Sequence, residues 1–128
     1  MPRSTPIPSN AELEILRILW KEGPQTVRVI HDALRIERDI GYTTVLKTMQ
    51  LMAEKKLVTR DESERSHVYA ANVEEKSVKR RLVSDLLDRA FDGSAAQLVM
   101  QALSDKPASA EDLRKIRQML KDNSRGAR

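Results

Sequence analysis

Only four aromatic side chains, one Phe, one Trp and two Tyr, are spread over 128 residues. An all-β sandwich of that length packs largely through aromatic and β-branched residues, so any core here has to come from Leu, Ile, Val, Met and Ala, a set that favours helices. The expected fold class is mainly α. With 40% apolar and 33% charged residues the balance is that of a folded soluble chain, and the length suits one modest domain or two small ones sharing a core.

Helix punctuation divides the chain. Ser9 followed by Glu12 is a capping-box signature. The spacing predicts a first helix over 10–22, with Leu13, Leu16, Leu19 and Trp20 on one face and Gly23-Pro24 as its stop. Thr26 is a suitable cap for a second helix carrying Val27, Ile30, Ala33 and Leu34 and ending in Glu37-Arg38-Asp39. A third helix is expected from 43 to about 56. At about 100° per residue, Val45, Leu46, Met49, Met52 and Ala53 share an apolar stripe on it, while Thr43, Lys47, Gln50, Leu51 and Glu54, with Thr44 beside them, face away. Residues 57–62 and 67–71 are short β-permissive runs joined by Ser63-Glu-Arg-Ser66, a hairpin with a polar tip. Three helices and then a hairpin is the order of a winged helix-turn-helix domain.

Beyond residue 72 the pattern becomes long helix. Val78, Leu82, Val83, Leu86, Leu87, Ala90 and Phe91 keep helical spacing up to Asp92-Gly93. Ser94 then caps a fifth helix with Leu98, Val99, Ala102 and Leu103, and Ser109 with Asp112 opens a sixth with Leu113, Ile116, Met119 and Leu120. The final NSRGAR reads as frayed. The expected organisation is a winged helix-turn-helix DNA-binding domain over 1–72 followed by a helical dimerisation domain over 73–128.

Several functions are not expected. With no cysteine there is no disulfide framework and no thiolate metal site, which fits a reducing cytoplasm. The Pro/Ser-rich start lacks a signal-peptide core, and no run approaches the ~18 apolar residues of a membrane span, so membrane insertion is not expected. His31 and His67 are the only histidines and lack metal-ligand spacing, His31 reading as a helix-surface residue. Without a phosphate-binding Gly loop or a nucleophile motif, neither an enzyme nor a cofactor is expected. The formal net charge of +4 is uneven, net +1 over residues 1–72 and net +3 over 73–128. Any phosphate contact must therefore come from local arrangement rather than from a global field.

In a helix-turn-helix the second helix of the pair enters the major groove, and short hydroxyls and amides hold phosphates. Thr43 and Thr44 suit the phosphate role, Lys47 can donate to guanine acceptors or to phosphate, and Gln50 can pair with adenine. Tyr42 opens the same helix, and Arg60, Arg65, Ser66 and His67 can bring donors to the flanking backbone as a wing does, with Glu62 and Glu64 opposing them. The apolar positions Leu82, Leu86, Leu87, Phe91, Leu98, Ile116 and Leu120 need a partner, for which a homodimer on a palindromic site is expected. The competing class is a winged-helix protein-interaction module that never touches DNA, favoured by the near-neutral charge of 1–72.

Leu19-Trp20 with Gly23-Pro24, Tyr42-Thr-Thr-Val45 and Phe91-Asp-Gly-Ser94 together make the chain, over about residues 9–121, resemble the penicillinase and methicillin-resistance repressor family (BlaI/MecI type). The resemblance implies a dimeric winged-helix transcriptional repressor on an inverted-repeat operator, often of TACA/TGTA type, controlling antibiotic-resistance or stress genes. It also implies a switch, in which a membrane metalloprotease sensor pathway leads to a cut within the dimerisation helices. The matching segment is 98–103, where Gln101-Ala102 stands against Asn-Phe in the best-known members. Copper-responsive relatives carry a cysteine-rich tail, absent here. Leu51 stands where many relatives have Arg, and Lys56 where Gly is usual, a position that asks for positive φ.

Overall fold

The computed structural model describes residues 5–126. Its elements are α1 (Asn10–Glu22), β1 (Gln25–Thr26), α2 (Val27–Leu34), α3 (Tyr42–Glu54), β2 (Val58–Asp61), β3 (Val68–Ala71), α4 (Glu75–Ala90), α5 (Ala95–Asp105) and α6 (Ala110–Gly126). The chain is mainly helical with one small antiparallel sheet in the order β1-β3-β2, the architecture of a winged helix-turn-helix followed by further helices. It divides into two compact units that meet within α4, the first ending at Ser84 and the second beginning at Asp85.

The start of α1 is tied by its own side chains. Ser9 Oγ accepts from the Glu12 amide at 3.2 Å, and a Glu12 carboxylate oxygen accepts from the Ser9 amide at 2.8 Å, so two of the helix's orphan donors are satisfied. Thr26 Oγ1 accepts from the Val29 amide and starts α2. The core of the first unit is aliphatic: Ile15, Leu16 and Leu19 from α1, Val27, Ile30 and Leu34 from α2, and Val45, Met49 and Met52 from α3 pack with Leu57, Val58 and Tyr69. Each such side chain contributes on the order of 1.5–3 kcal/mol by leaving water. Trp20 is half-buried at its edge and donates its indole N–H to the Val73 carbonyl at 2.9 Å.

The end of α3 has a strained residue at a defined place. The Leu57 amide donates to the Met52 carbonyl at 2.9 Å and the Lys56 amide to the Ala53 carbonyl at 3.1 Å, the paired closure of a Schellman motif. Lys56 occupies the left-handed position at φ 66°, as the place of a usual Gly requires, and Asn72 Nδ2 donates to its carbonyl at 3.0 Å. At the next such corner Asp92 and Gly93 both have positive φ, 54° and 79°, and the Ser94 hydroxyl caps α5 by accepting from the Gln97 amide.

Several expectations are corrected. Residues 25–26 form a strand, paired with Val68 and Tyr69 of β3, so the hairpin is part of a three-stranded sheet; two residues are too few to carry a period. The second helix ends at Leu34, and residues 35–38 are turn and bend rather than helix. The last helix continues through Asn123 to Gly126 instead of fraying, since no Gly or Pro interrupts it earlier and the Gln118 amide reaches Asp122 one turn on. The first four residues of the Pro/Ser-rich start and the last two residues of the supposed frayed end lie outside the described residues. His31 is not a free surface residue: it is half-buried, with Nε2 at 2.8 Å from the Ile40 carbonyl. No helix among the described residues is long and apolar enough to cross a membrane.

Among the described residues Glu12 is the one charged residue buried with this core, 3% exposed. Burial works against its charge, but Lys55 Nζ at 2.7 Å, the Ser9 amide and the Ser9 hydroxyl outweigh that and hold the carboxyl below its usual 4.5. A folded-state pKa below the unfolded one gives stability that is complete above pH 4.5 and lost as pH falls through the folded value. Glu12→Gln is therefore expected to cost about 1–3 kcal/mol at neutral pH, measured by urea unfolding, with the gap to the native chain closing in acid well below 4.5. An equal gap at both pH values would contradict this account.

Candidate nucleic-acid interface

On α3 the buried stripe and the exposed side are cleanly separated. Val45, Met49 and Met52 are 0–1% exposed, while Thr43, Thr44, Lys47, Gln50, Leu51 and Glu54 are exposed. Because neighbouring turns superpose every three to four residues, sealing one side presents the other as a polar surface about 20 Å long. Thr48 turns its hydroxyl back onto the Thr44 carbonyl at 2.8 Å, which removes it as a donor to anything outside. Leu51 leaves an apolar side chain, 46% exposed, within this polar surface.

Beside α3 lies a groove of about 510 Å³ formed by the start of α2, the inner flank of α3 and the hairpin. Tyr42, Gln50, Arg60, Arg65, Ser66 and His67 all line it. Thr43, Thr44 and Lys47 do not; they stand on the outward side of α3. Thus six of the nine candidate residues gather in one groove and three share the adjoining helix face. Thr26 and Arg28 also line the groove, and sequence reading did not assign them to the site. A signal for Arg28 was present, since it sits two positions past the capping Thr26 and so in the first turn of a helix whose start was already located.

The groove is cationic but partly neutralised. Arg60 Nε donates to a Glu62 carboxylate oxygen at 2.7 Å, so of Arg28, Arg60 and Arg65 one already has an anionic partner. Asp61 accepts from the Ser63 amide at 2.9 Å; that amide, with the Ser63 hydroxyl, holds its carboxyl below the usual carboxylate range and shapes the first turn of the wing tip. Such a surface offers hydroxyl, amide and guanidinium donors at a helix face and a flanking hairpin, which suits a polyanion with readable edges. Among the described residues no three His, Cys, Asp or Glu side chains form a group able to hold a metal ion.

In the second unit the corner Asp92-Gly93-Ser94 separates α4 from α5, and none of the described residues from Asp85 onward is buried. Leu87, Phe91, Leu98 and Ile116 are half-buried, and Leu86 and Leu120 are exposed, as are Met100 and Met119; Leu82, at the end of the first unit, is half-buried. Gln101 and Ala102 are exposed in the middle of α5.

The fold and the outward-facing α3 define a winged helix-turn-helix protein. Residues 8–122 match the penicillinase repressor family, and the chain belongs to that family. It is 36% identical over 90 residues to the transcriptional regulator BlaI of Mycobacterium tuberculosis (strain CDC 1551 / Oshkosh), a match covering 70% of this chain and 65%, just under two thirds, of that relative. It is 20% identical over 112 residues to the methicillin resistance regulatory protein MecI of Mammaliicoccus sciuri, covering 88% of this chain and 91% of the relative. Among solved structures, RosR from H. salinarum shares the fold at a TM-score of 0.50 and 15% identity, over 94% of this chain and 96% of that one.

Proposed function

We propose that the protein is a sequence-specific DNA-binding transcriptional repressor that acts as a homodimer on an inverted-repeat operator. The observation that carries this reading is the division of α3 into a sealed side and a solvent-facing side bearing Thr43, Thr44, Lys47 and Gln50, next to a groove lined by Arg28, Arg60 and Arg65. In this reading residues 1–72 bind DNA. Lys47 and Gln50 meet base edges, Thr43 and Thr44 hold phosphates, and the wing residues Arg65, Ser66 and His67 contact the backbone beside the groove. The family membership and the fold support the same assignment.

Residues 73–128 are proposed to pair two copies. None of the described side chains of the second unit is buried, while Leu86 is 46%, Met100 62% and Leu120 61% exposed, and apolar surface of that kind calls for a partner. A two-fold protein would then present two reading helices to two half-sites, which is the geometric reason to expect a palindrome. Release from DNA is proposed to follow a cut between residues 98 and 104, through a membrane metalloprotease sensor pathway responding to antibiotic or cell stress. Severing α5 there would remove Ile116 and Leu120 from the pairing surface.

Gel shifts on the chain's own upstream DNA test the binding. Affinity is expected to fall with added salt, since phosphate contacts release counterions. Lys47→Ala should weaken operator binding by ~1–3 kcal/mol and relax discrimination at one base pair if it reads guanine. Glu62→Gln, which frees Arg60, should tighten binding roughly two- to fivefold and steepen the salt dependence. Salt-independent capture, or none, would instead favour a protein-interaction module.

For the pairing, Leu86→Asp or Phe91→Asp places an unpaired charge at the proposed interface. Light scattering is expected to show a folded monomer with poor DNA binding, and an unchanged dimer would reject these residues. For the switch, cells exposed to a β-lactam are expected to contain a fragment ending within 98–104; only full-length protein under derepressing conditions would exclude proteolysis.

A further inference from the structure

We infer that His31 is a positioning residue for α3: its imidazole holds the Ile40 carbonyl and packs against Tyr42, setting where the helix begins and how Tyr42 meets the groove. The inference rests on the DNA-binding reading of α3 for its functional consequence, though not for its geometry.

The start of α3 is unlike those of the other capped helices. α1, α2, α5 and α6 each begin on a hydroxyl, from Ser9, Thr26, Ser94 and Ser109, that accepts from an amide in the first turn. α3 begins on Gly41, which has no side chain to cap with, and its first turn has no acidic residue. Gly is a weaker N-cap than Ser and about equal to Thr, but it offers no side-chain acceptor to the first-turn amides and leaves the backbone free to take other conformations. The local restraint on this start is the backbone bond from the Val45 amide to the Gly41 carbonyl at 3.2 Å, without a side-chain cap.

His31 supplies the restraint from the neighbouring helix. Its Nε2 lies 2.8 Å from the Ile40 carbonyl oxygen. A carbonyl can only accept, so Nε2 carries the hydrogen and donates. The same ring stands edge-to-face with Tyr42, centroids 5.7 Å apart and planes at 86°, within the range in which such aromatic pairs attract. One side chain thus grips the residue before Gly41 and the residue after it. The two contacts bracket the uncapped glycine.

The bracket acts on the interface. Tyr42 lines the groove with Gln50 and Arg65, while Thr43 and Thr44 follow directly on α3. If the chain at 40–42 slipped, the first-turn hydroxyls and the Tyr42 ring would move together, whereas Val45, Met49 and Met52 would remain held by the core. His31 is not among the residues that line the groove, so its effect passes through the position of this turn. The hydrogen bond ties α2 to the segment entering α3, and so sets the angle of the helix-turn-helix at the same point.

Three variants separate the contacts: His31→Phe keeps a ring but loses the donor, His31→Gln keeps a donor but loses the ring, and His31→Ala loses both. The probe is a duplex that the unaltered chain selects from a random-sequence pool, measured beside a scrambled duplex. His31→Ala is expected to lower the ratio of selected to scrambled affinity roughly two- to tenfold, with Phe and Gln each restoring part of it. Amide NMR shifts in His31→Ala should be concentrated at Gly41–Thr43 and absent from α1. Unchanged discrimination, equal loss on both duplexes, or shifts spread through the whole first unit would each overturn the inference. Should the unaltered chain select no duplex, the DNA-binding reading fails on its own, and the NMR pattern still decides whether His31 holds this turn.

Discussion

Burial of the Val45/Met49/Met52 stripe is the constraint on which the rest of the first unit depends. Each of these side chains is 1% exposed or less, and rotating α3 by even one residue, about 100°, would bring a polar or exposed side chain into the aliphatic core. The outward side is therefore not chosen separately; it is what remains once the core is satisfied. The far end of the helix obeys the same condition. Leu57 and Val58 are buried immediately past it, and the chain can turn that sharply into the core only by placing Lys56 at positive φ. The left-handed Lys disfavours this turn by roughly 1 kcal/mol relative to a residue without a β-carbon; the two closing hydrogen bonds and Asn72 offset that.

Much of this was legible because it is local. Ser9, Glu12, Thr26, Ser94 and Ser109 announce helix starts through bonds that span three residues, and each forms as the spacing requires. The α3 stripe is equally local, a period within thirteen residues. That the polar side of α3 faces outward followed from periodicity alone, and the family's motifs agreed with it. Lys56 was legible for a different reason: a residue standing in a glycine's place reports the φ that the place demands.

What the sequence did not disclose depends on contacts between distant segments. β1 exists because Gln25 and Thr26 meet Tyr69 and Val68, more than forty residues away, and two residues alone carry no alternation. The second helix stops at Leu34 although Arg35 and Ile36 could extend it; the turn that follows is held from elsewhere, with Arg38 paired to Glu14 of α1 at 2.8 Å and the Ile40 carbonyl engaged by His31. The groove has the same origin. Arg28, Gln50 and Arg65 come from three elements, so their proximity appears only when the hairpin folds beside α2 and α3. Thr43, Thr44 and Lys47, read as one set with Tyr42 and Gln50, in fact stand on the adjoining outward face.

The electrostatics follow from this geometry. With residues 1–72 at net +1, there is little long-range attraction to steer a duplex, and attraction must come from cations whose neighbours leave them free. Arg60 is held by Glu62 and Arg38 by Glu14, whereas Arg28 and Arg65 have no carboxylate within ion-pair distance among the described residues. A surface of this kind binds weakly wherever only phosphate is offered, because few cations are available to release counterions. On the proposed reading it gains most where edges are also matched by Lys47 and Gln50. In the same reading, internal pairing of Arg38 and Arg60 favours discrimination over affinity, and it makes the exact height and angle of α3 matter more than they would on a strongly basic surface. Under the proposed reading, that is why the uncapped Gly41 needs an external restraint, and why a histidine one helix away can bear on which sequence is read.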